Sequence, residues 1–170
     1  VQFMWWSTSQ TPEFVPQNRM FEPLDAYESI RAVDYAGRSG NVHQTGDCMD
    51  YIENNNSILY KSIDFGETGF QDGTITCMIG GPNNDVCQGG TVEVRKDSEN
   101  GQLLGTVQVG TSSDWDDYQP YTGAISLSEP LAGKQNICLV FRSSSTFLGN
   151  LISFQFEKSA FNTFMATEYN

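Results

Sequence analysis

Trp115 sits between Asp114 and Asp116, with Asp117 next, at the end of the polar stretch 110–114. A core indole is rarely set in a run of carboxylates, so this ring is expected to face solvent. An exposed ring among hydrogen-bonding groups suits a sugar. The aromatic face covers a patch of C–H groups, and amides or carboxylates take the hydroxyls at the rim. Asn150 carries the second half of that chemistry, because its amide both donates and accepts. Each residue also has a plainer reading. Exposed tryptophans mark protein interfaces, and an Asn after a Gly, here Gly149, is often a turn residue.

Other chemistries find less to work with. His43 is the only histidine, so no multi-histidine metal site can form, and a Ser-His-Asp triad has no choice of base. Asp114, Asp116 and Asp117, or Glu28 and Asp34, could supply the paired carboxylates of a glycosidase. A small β-jelly-roll glycosidase or lyase is the enzymatic alternative they leave open. Asp47 and Asp50 add further oxygens for calcium, but none of these residues falls in a D-x-D-x-D-G loop. No cysteine pair has the Cys-x-x-Cys spacing of a zinc site. Nucleophile-elbow, P-loop and dinucleotide motifs are missing from the sequence.

These residues need elements to hold them. Val92 and Val94 alternate with Thr91, Glu93 and Arg95, the period of a half-buried strand. Residues 97–101 supply a turn. Leu103, Val107 and Val109 then share a parity, which predicts a second strand leading into the Trp115 loop. Further strands are expected over 58–65, 74–79, 137–141 and 151–157, with a weaker one over 121–127. Ile75, Cys77 and Ile79 share a face; so do Ile137, Leu139 and Phe141, and so do Ile152, Phe154 and Phe156. Only 23–33 could hold a short helix. Short strands punctuated by Gly, Asn and Ser predict an all-β sandwich, with a jelly roll as its natural form.

With 170 residues the chain can bury one sizeable core. Residues 25–158 read as that domain, 1–24 as an N-terminal extension or linker remnant, and 159–170 as a C-terminal extension. Trp5, Trp6, Phe161 and Phe164 are apolar enough to pack on the sandwich. Lys and Arg number 9 against 21 Asp and Glu, a formal net charge of -12. That charge repels nucleic-acid backbones and anionic membrane surfaces, and no apolar run approaches a membrane span. Val1 opens the sequence without an initiator Met or a signal peptide, which predicts a processed protein or an excised module. The 4 cysteines and 16 glycines predict an oxidising, extracellular setting. Cys77 and Cys87 flank a turn-rich segment, which favours a disulfide between them and leaves Cys48 with Cys138. Four buried free thiols are the alternative.

The order of motifs adds a resemblance. Ile30-Arg31-Ala32-Val33-Asp34-Tyr35 is followed by Tyr51-Ile52-Glu53-Asn54, Tyr60 and Asp64-Phe65-Gly66. Residues 90–97, 101–109 and 111–115, then Leu139-Val140-Phe141 and 150–156, complete the series. It resembles the family 6 carbohydrate-binding modules, whose pattern runs roughly IEAEDY, GYIxxGDWxxY, DFG, GGxIExRLD, GxLIGTVxVxxTGGW, LxLVF and NIDWFxF. The family 35 modules are a close second. The resemblance implies a β-jelly roll that binds glycans without catalysis, usually attached to a glycoside hydrolase. It implies a cleft among the loops at one end, where a sugar lies between two aromatics above an Asn. Trp115 matches the Trp of TGGW, and Asn150 matches the Asn of NIDWF.

The departures matter as much. Where the pattern has GDW this chain has Asn55-Asn56-Ser57, so Ser57 stands where the resemblance places the first sandwiching ring. Tyr51 and Tyr118 are the nearest substitutes. The upstream polar loop is shortened to 41–47, with His43, Gln44 and Asp47 left to do its work. The candidate carbohydrate-binding residues are therefore Trp115, Asn150, Tyr51, Gln44, His43 and Tyr118. The resemblance also implies a structural calcium, held by two Glu and one Asp. Arg31, Val33 and Ser153 occupy those positions, so that calcium and any other cofactor are expected to be absent; a shifted alignment would bring Glu28 and Asp34 into play. The expectation is a secreted, non-catalytic module for a β-linked polysaccharide such as β-1,3-glucan, xylan or a galactan, joined to a catalytic domain. An adhesive ectodomain whose Trp115 loop meets another protein is the remaining alternative.

Overall fold

The computed structural model describes residues 22–160, so the expected packing of Trp5, Trp6, Phe161 and Phe164 lies outside the described residues. Five short strands come first: β1 (Leu24–Asp25), β2 (Ile30–Arg31), β3 (Gly37–Arg38), β4 (His43–Thr45) and β5 (Cys48–Asp50). Seven longer ones follow: β6 (Ser57–Asp64), β7 (Phe70–Gly80), β8 (Gly90–Lys96), β9 (Leu103–Val109), β10 (Gln119–Leu131), β11 (Lys134–Arg142) and β12 (Asn150–Lys158). The segment read as a possible helix holds β1, a turn and β2 instead, with β1 paired parallel to β6 and β2 antiparallel to β12.

The strands run in the order β1-β6-β11-β8-β9-β10-β7-β12-β5-β4, with β2 on β12 and β3 on β6. A single registered pair, Ile125 with Gly105, joins β9 to β10. The sheet curls there, and its two halves face each other. Tyr60 of β6 meets Phe154 of β12 with ring centroids 4.7 Å apart, and Phe65 meets Phe156 at 4.9 Å. Because β6 and β12 are not neighbours in the sheet, those ring contacts close the sandwich. This is the expected jelly-roll architecture.

Alternation explains which side chains fill the space between. Val92 and Val94, Ile75, Cys77 and Ile79, and Ile137, Leu139 and Phe141 are all buried as their parity predicts. Two faces were displaced by bulges. In β12 the register shifts between Leu151 and Ser153, so Leu151 is buried and Ile152 only half-buried. In β9 the shift opposite Val94 and Arg95 buries Leu104 and leaves Leu103 exposed. An extra residue at a bulge turns the side chains that follow to the other face. Residues 121–127, the weakest strand signal, fall within the longest strand, β10. The expected disulfides are not formed: Cys48, Cys77, Cys87 and Cys138 are separate thiols. Cys77 faces the core, where burial pushes its thiol up to about 12, and Cys87 donates to the Leu148 carbonyl.

Candidate functional site

Three loops meet at one end of the sandwich. The first follows β5, which pairs with β12 through Met49 and Leu151; this pairing sets Asp50 and Tyr51 beside the start of β12. The second is the Trp115 loop between β9 and β10. The third runs from β11 to β12 through Phe147 and delivers Asn150 as the first residue of β12, in register with Gly80.

Short hydrogen bonds fix these loops. The Leu148 N–H donates to the Ile52 carbonyl (2.9 Å) and the Phe147 N–H to that of Val86 (2.8 Å), which ties the Phe147 loop to the Tyr51 segment. The Ser112 N–H donates to the Gly81 carbonyl at 2.7 Å, and the Gly81 N–H returns a bond to Ser112 Oγ. The Trp115 loop thus lies flat on the end of β7. A Cβ on Gly80 would stand 2.5 Å from the Trp115 carbonyl oxygen, so only glycine permits that approach. Within the loop, Ser113 donates to Asp117 through both its N–H and its hydroxyl, and the Gln119 amide donates to the same carboxylate. The Ser113 N–H first, then its hydroxyl and Gln119, hold the Asp117 carboxyl below its ordinary value.

The result is a cavity of about 350 Å³ lined by Asp50, Tyr51, Trp115, Phe147 and Asn150, at the small end of ligand pockets. Phe147 meets Tyr51 edge-on at 5.8 Å and 86°, and meets Trp115 at 6.1 Å and 78°. Both walls therefore stand nearly perpendicular to one central ring. Trp115 is half-buried rather than fully presented to solvent, and Tyr51 is exposed. Tyr51 has a φ of 53°, a left-handed conformation that is uncommon for a residue with a Cβ and that recurs at ligand sites.

The candidate residues divide by position. Trp115, Asn150 and Tyr51 line the cavity. His43 meets the Tyr51 wall, its ring 5.0 Å from that of Tyr51. Gln44 bonds the Gly46 carbonyl in the exposed β4–β5 hairpin. Tyr118 lies beside Cys48; burial first, then that neighbour, pushes its hydroxyl up to about 12. Neither Gln44 nor Tyr118 lines the cavity. Ser57 is not a cleft position at all. It is buried at the start of β6, sharing hydrogen bonds with Ser39 and Glu99, so no ring is missing there. Tyr51 supplies the second wall.

Sequence reasoning passed over Phe147 and weighed Asp50 only as an oxygen for calcium. Phe147 carried the signal that marked Trp115, a lone ring in a polar stretch, here Ser143-Ser144-Ser145-Thr146. Asp50 carried none beyond its place next to Tyr51.

The positions of the implied calcium hold a different chemistry. Arg31 and Ser153 are partners across β2 and β12. The Arg31 guanidinium lies 3.2 Å from Asp34 and 3.9 Å from Asp47, and Val33 packs against the core. The Arg31 cation stands beside Asp34, the carboxylate that a shifted alignment would offer. Among the described residues, no group of three or more His, Cys, Asp or Glu side chains is placed to hold one.

Comparison with known proteins agrees with this geometry. The family model described as carbohydrate binding module (family 6) matches residues 27–158. An endo-1,4-beta-xylanase A of Thermoclostridium stercorarium is 36% identical over 123 residues, 69% of this chain and 22% of the xylanase. The chain thus spans under a quarter of the length of such relatives. Among solved structures, a family 6 module from Clostridium cellulolyticum in complex with xylose superposes with a TM-score of 0.67 at 29% identity, covering 79% of this chain and 99% of that one. CsCBM6-3 from Clostridium stercorarium, in complex with cellobiose, gives 0.65 at 30% identity, covering 82% and 99%. A beta-1,3-glucan binding module from Bacillus halodurans gives 0.65 at 28%, covering 81% and 100%. The chain belongs to the family 6 carbohydrate-binding modules and is a binding module rather than an enzyme.

Proposed function

We propose that the cleft walled by Tyr51 and Trp115 binds a β-linked polysaccharide and so holds an attached glycoside hydrolase on its substrate. The observation that carries this reading is the ring arrangement. Tyr51 and Trp115 each meet the Phe147 ring nearly at right angles, and Asn150 lines the same cavity. A pyranose offers C–H groups to both walls and hydroxyls to the amide. The relatives' ligands, xylose, cellobiose and β-1,3-glucan, support xylans and β-glucans as ligands ahead of galactans. The xylanases that this chain resembles over part of their length are far longer chains, which supports a covalently linked catalytic domain. Their polymeric substrate supports action outside the cell.

A stacked ring contributes about 0.5–1.5 kcal/mol beyond burial, and each hydrogen bond a similar net amount. Such a site has Kd values of roughly 10 μM to 1 mM, and firm retention on a polymer comes from avidity or from the tethered enzyme. Affinity electrophoresis against a panel of xylans, β-glucans and galactans tests the reading. Retardation by a β-linked polymer that disappears in Trp115→Ala is the expected result. Binding unchanged in that variant overturns the site.

We infer further that no calcium is held at Arg31, Val33 and Ser153. The support is the Arg31 guanidinium, which already pairs with Asp34 and reaches toward Asp47.

A further inference from the structure

Asp50 lines the cleft between the two walls and has no part in the reading above. Its Oδ1 is buried and finds no hydrogen-bond partner among the described residues. An oxygen so enclosed is out of a ligand's reach as it stands, so a donor in the cleft meets whichever oxygen of the carboxylate faces the cavity. Rotation about the terminal side-chain bond is soft, so either oxygen can meet the donor. In the Trp115 loop, Asp114 accepts from the Trp115 N–H and Asp117 from Ser113 and Gln119, while the exposed Asp116 lies near Tyr118.

The groups around Asp50 leave its charge uncancelled. None of the cavity's lining residues is cationic. Across the β4–β5 ladder its partner is His43, whose ring lies against Tyr51. Cys48 and Tyr118, neighbours of each other, lie close enough to feel its charge. The aromatic walls act in the same sense, because ring faces attract cations and repel anions.

We infer that Asp50 is a specificity-determining residue: it admits sugars that present a hydroxyl or ammonium donor in the cleft and rejects sugars that carry a carboxylate there. The inference rests on the proposed glycan cleft and names the charge class of its ligand.

Calorimetric titration at a single pH of 7.5 tests it with three β-1,4-linked disaccharides that share a backbone and differ in charge: neutral cellobiose, the glucosamine dimer with an amine on each ring, and glucuronosyl-glucose with a carboxylate on one ring. The wild-type protein is expected to bind the first two and to bind the uronate about tenfold or more weakly, the worth of a hydrogen bond to a charged group. Asp50→Asn keeps the shape and should close the gap between cellobiose and the uronate to about threefold. Asp50→Ala should weaken cellobiose by about tenfold. Thermal melts of each variant show that the fold is kept. Equal binding of uronate and cellobiose by the wild type overturns the inference. So does a gap that Asp50→Asn leaves unchanged while Trp115→Ala abolishes binding. If Trp115→Ala binds cellobiose like the wild type, the cleft itself is misplaced, and the inference falls with it.

Discussion

Tyr51 is both a wall of the cleft and a strained point of the backbone, and glycine separates the two roles. With φ at 53°, a side chain with a Cβ costs about 1–2 kcal/mol; glycine adopts the conformation freely but loses roughly 0.5–1 kcal/mol more chain entropy on folding. The ring's contacts with His43 at 5.0 Å and Phe147 at 5.8 Å fall at the low end of the ~0.5–1.5 kcal/mol for aromatic pairs, since Tyr51 is 53% exposed. These terms oppose one another and leave a net effect within about 1 kcal/mol, a Tm shift of about 2–4 °C in either direction for a chain of this size. Binding has no such offset. A fully buried tyrosine covers about 150–250 Å²; a sugar resting on the exposed half covers roughly 60–100 Å², worth about 1.5–2.5 kcal/mol. Tyr51→Gly should therefore weaken oligosaccharide binding by about 10–70-fold while the melting temperature barely moves. Tyr51→Phe, which keeps the ring, should stay within about threefold. Titration calorimetry beside a thermal melt reads both quantities. A Tyr51→Gly variant that binds like the wild type refutes the wall. One that loses its cooperative melt refutes the balance of backbone terms.

Two further outcomes follow from the loops and from β2. Asp117 has its carboxyl held below the ordinary value by Ser113 and Gln119, so its grip on the Trp115 loop is complete above the unfolded carboxyl value of about 3.9 and is lost as pH falls through the lower folded value; glycan affinity should drop in that acid window, and Asp117→Asn should have the weaker affinity already at neutral pH and a flatter profile. A chelator should leave the melting temperature unchanged, and Arg31→Ala should cost no more than about 1 kcal/mol because its ion pairs are largely exposed; a fall of several degrees with chelator would mean that a metal binds after all.

What the sequence revealed depends on how local each determinant is. Val92 and Val94, or Ile75, Cys77 and Ile79, declare their faces because burial on one side of a strand writes a period of two into neighbouring residues. Ile152 and Leu103 mislead for a reason equally local: a bulge in β12 and one opposite β9 shift the period by one, and nothing in Leu151-Ile152 or Leu103-Leu104 reveals which residue will turn inward. The cleft adds a different difficulty. Trp115 and Asn150 stand out singly, by an odd neighbour and by a motif position. The second wall does not, since tyrosine is not a residue whose type announces a left-handed backbone, and motif matching put the ring at Ser57, which instead begins β6 and turns toward Ser39 and Glu99.

The converging contacts are what make a site of these residues. The Met49–Leu151 pairing, the Leu148 bond to Ile52 and the close approach over Gly80 each join segments far apart in the chain. Together they bring Phe147 between Tyr51 and Trp115 and place Asp50 beside Asn150. Shape and charge then come from different parts of the sequence. The rings that suit a pyranose face match the family pattern at Tyr51 and Trp115. Asp50 is the acidic residue in the lining of the cavity itself. A ligand that satisfies both parts is a sugar with donors toward Asp50 and no carboxylate of its own. For that reason Tyr51→Gly and Asp50→Asn should fail in different ways, the first losing affinity for every sugar and the second losing discrimination between them.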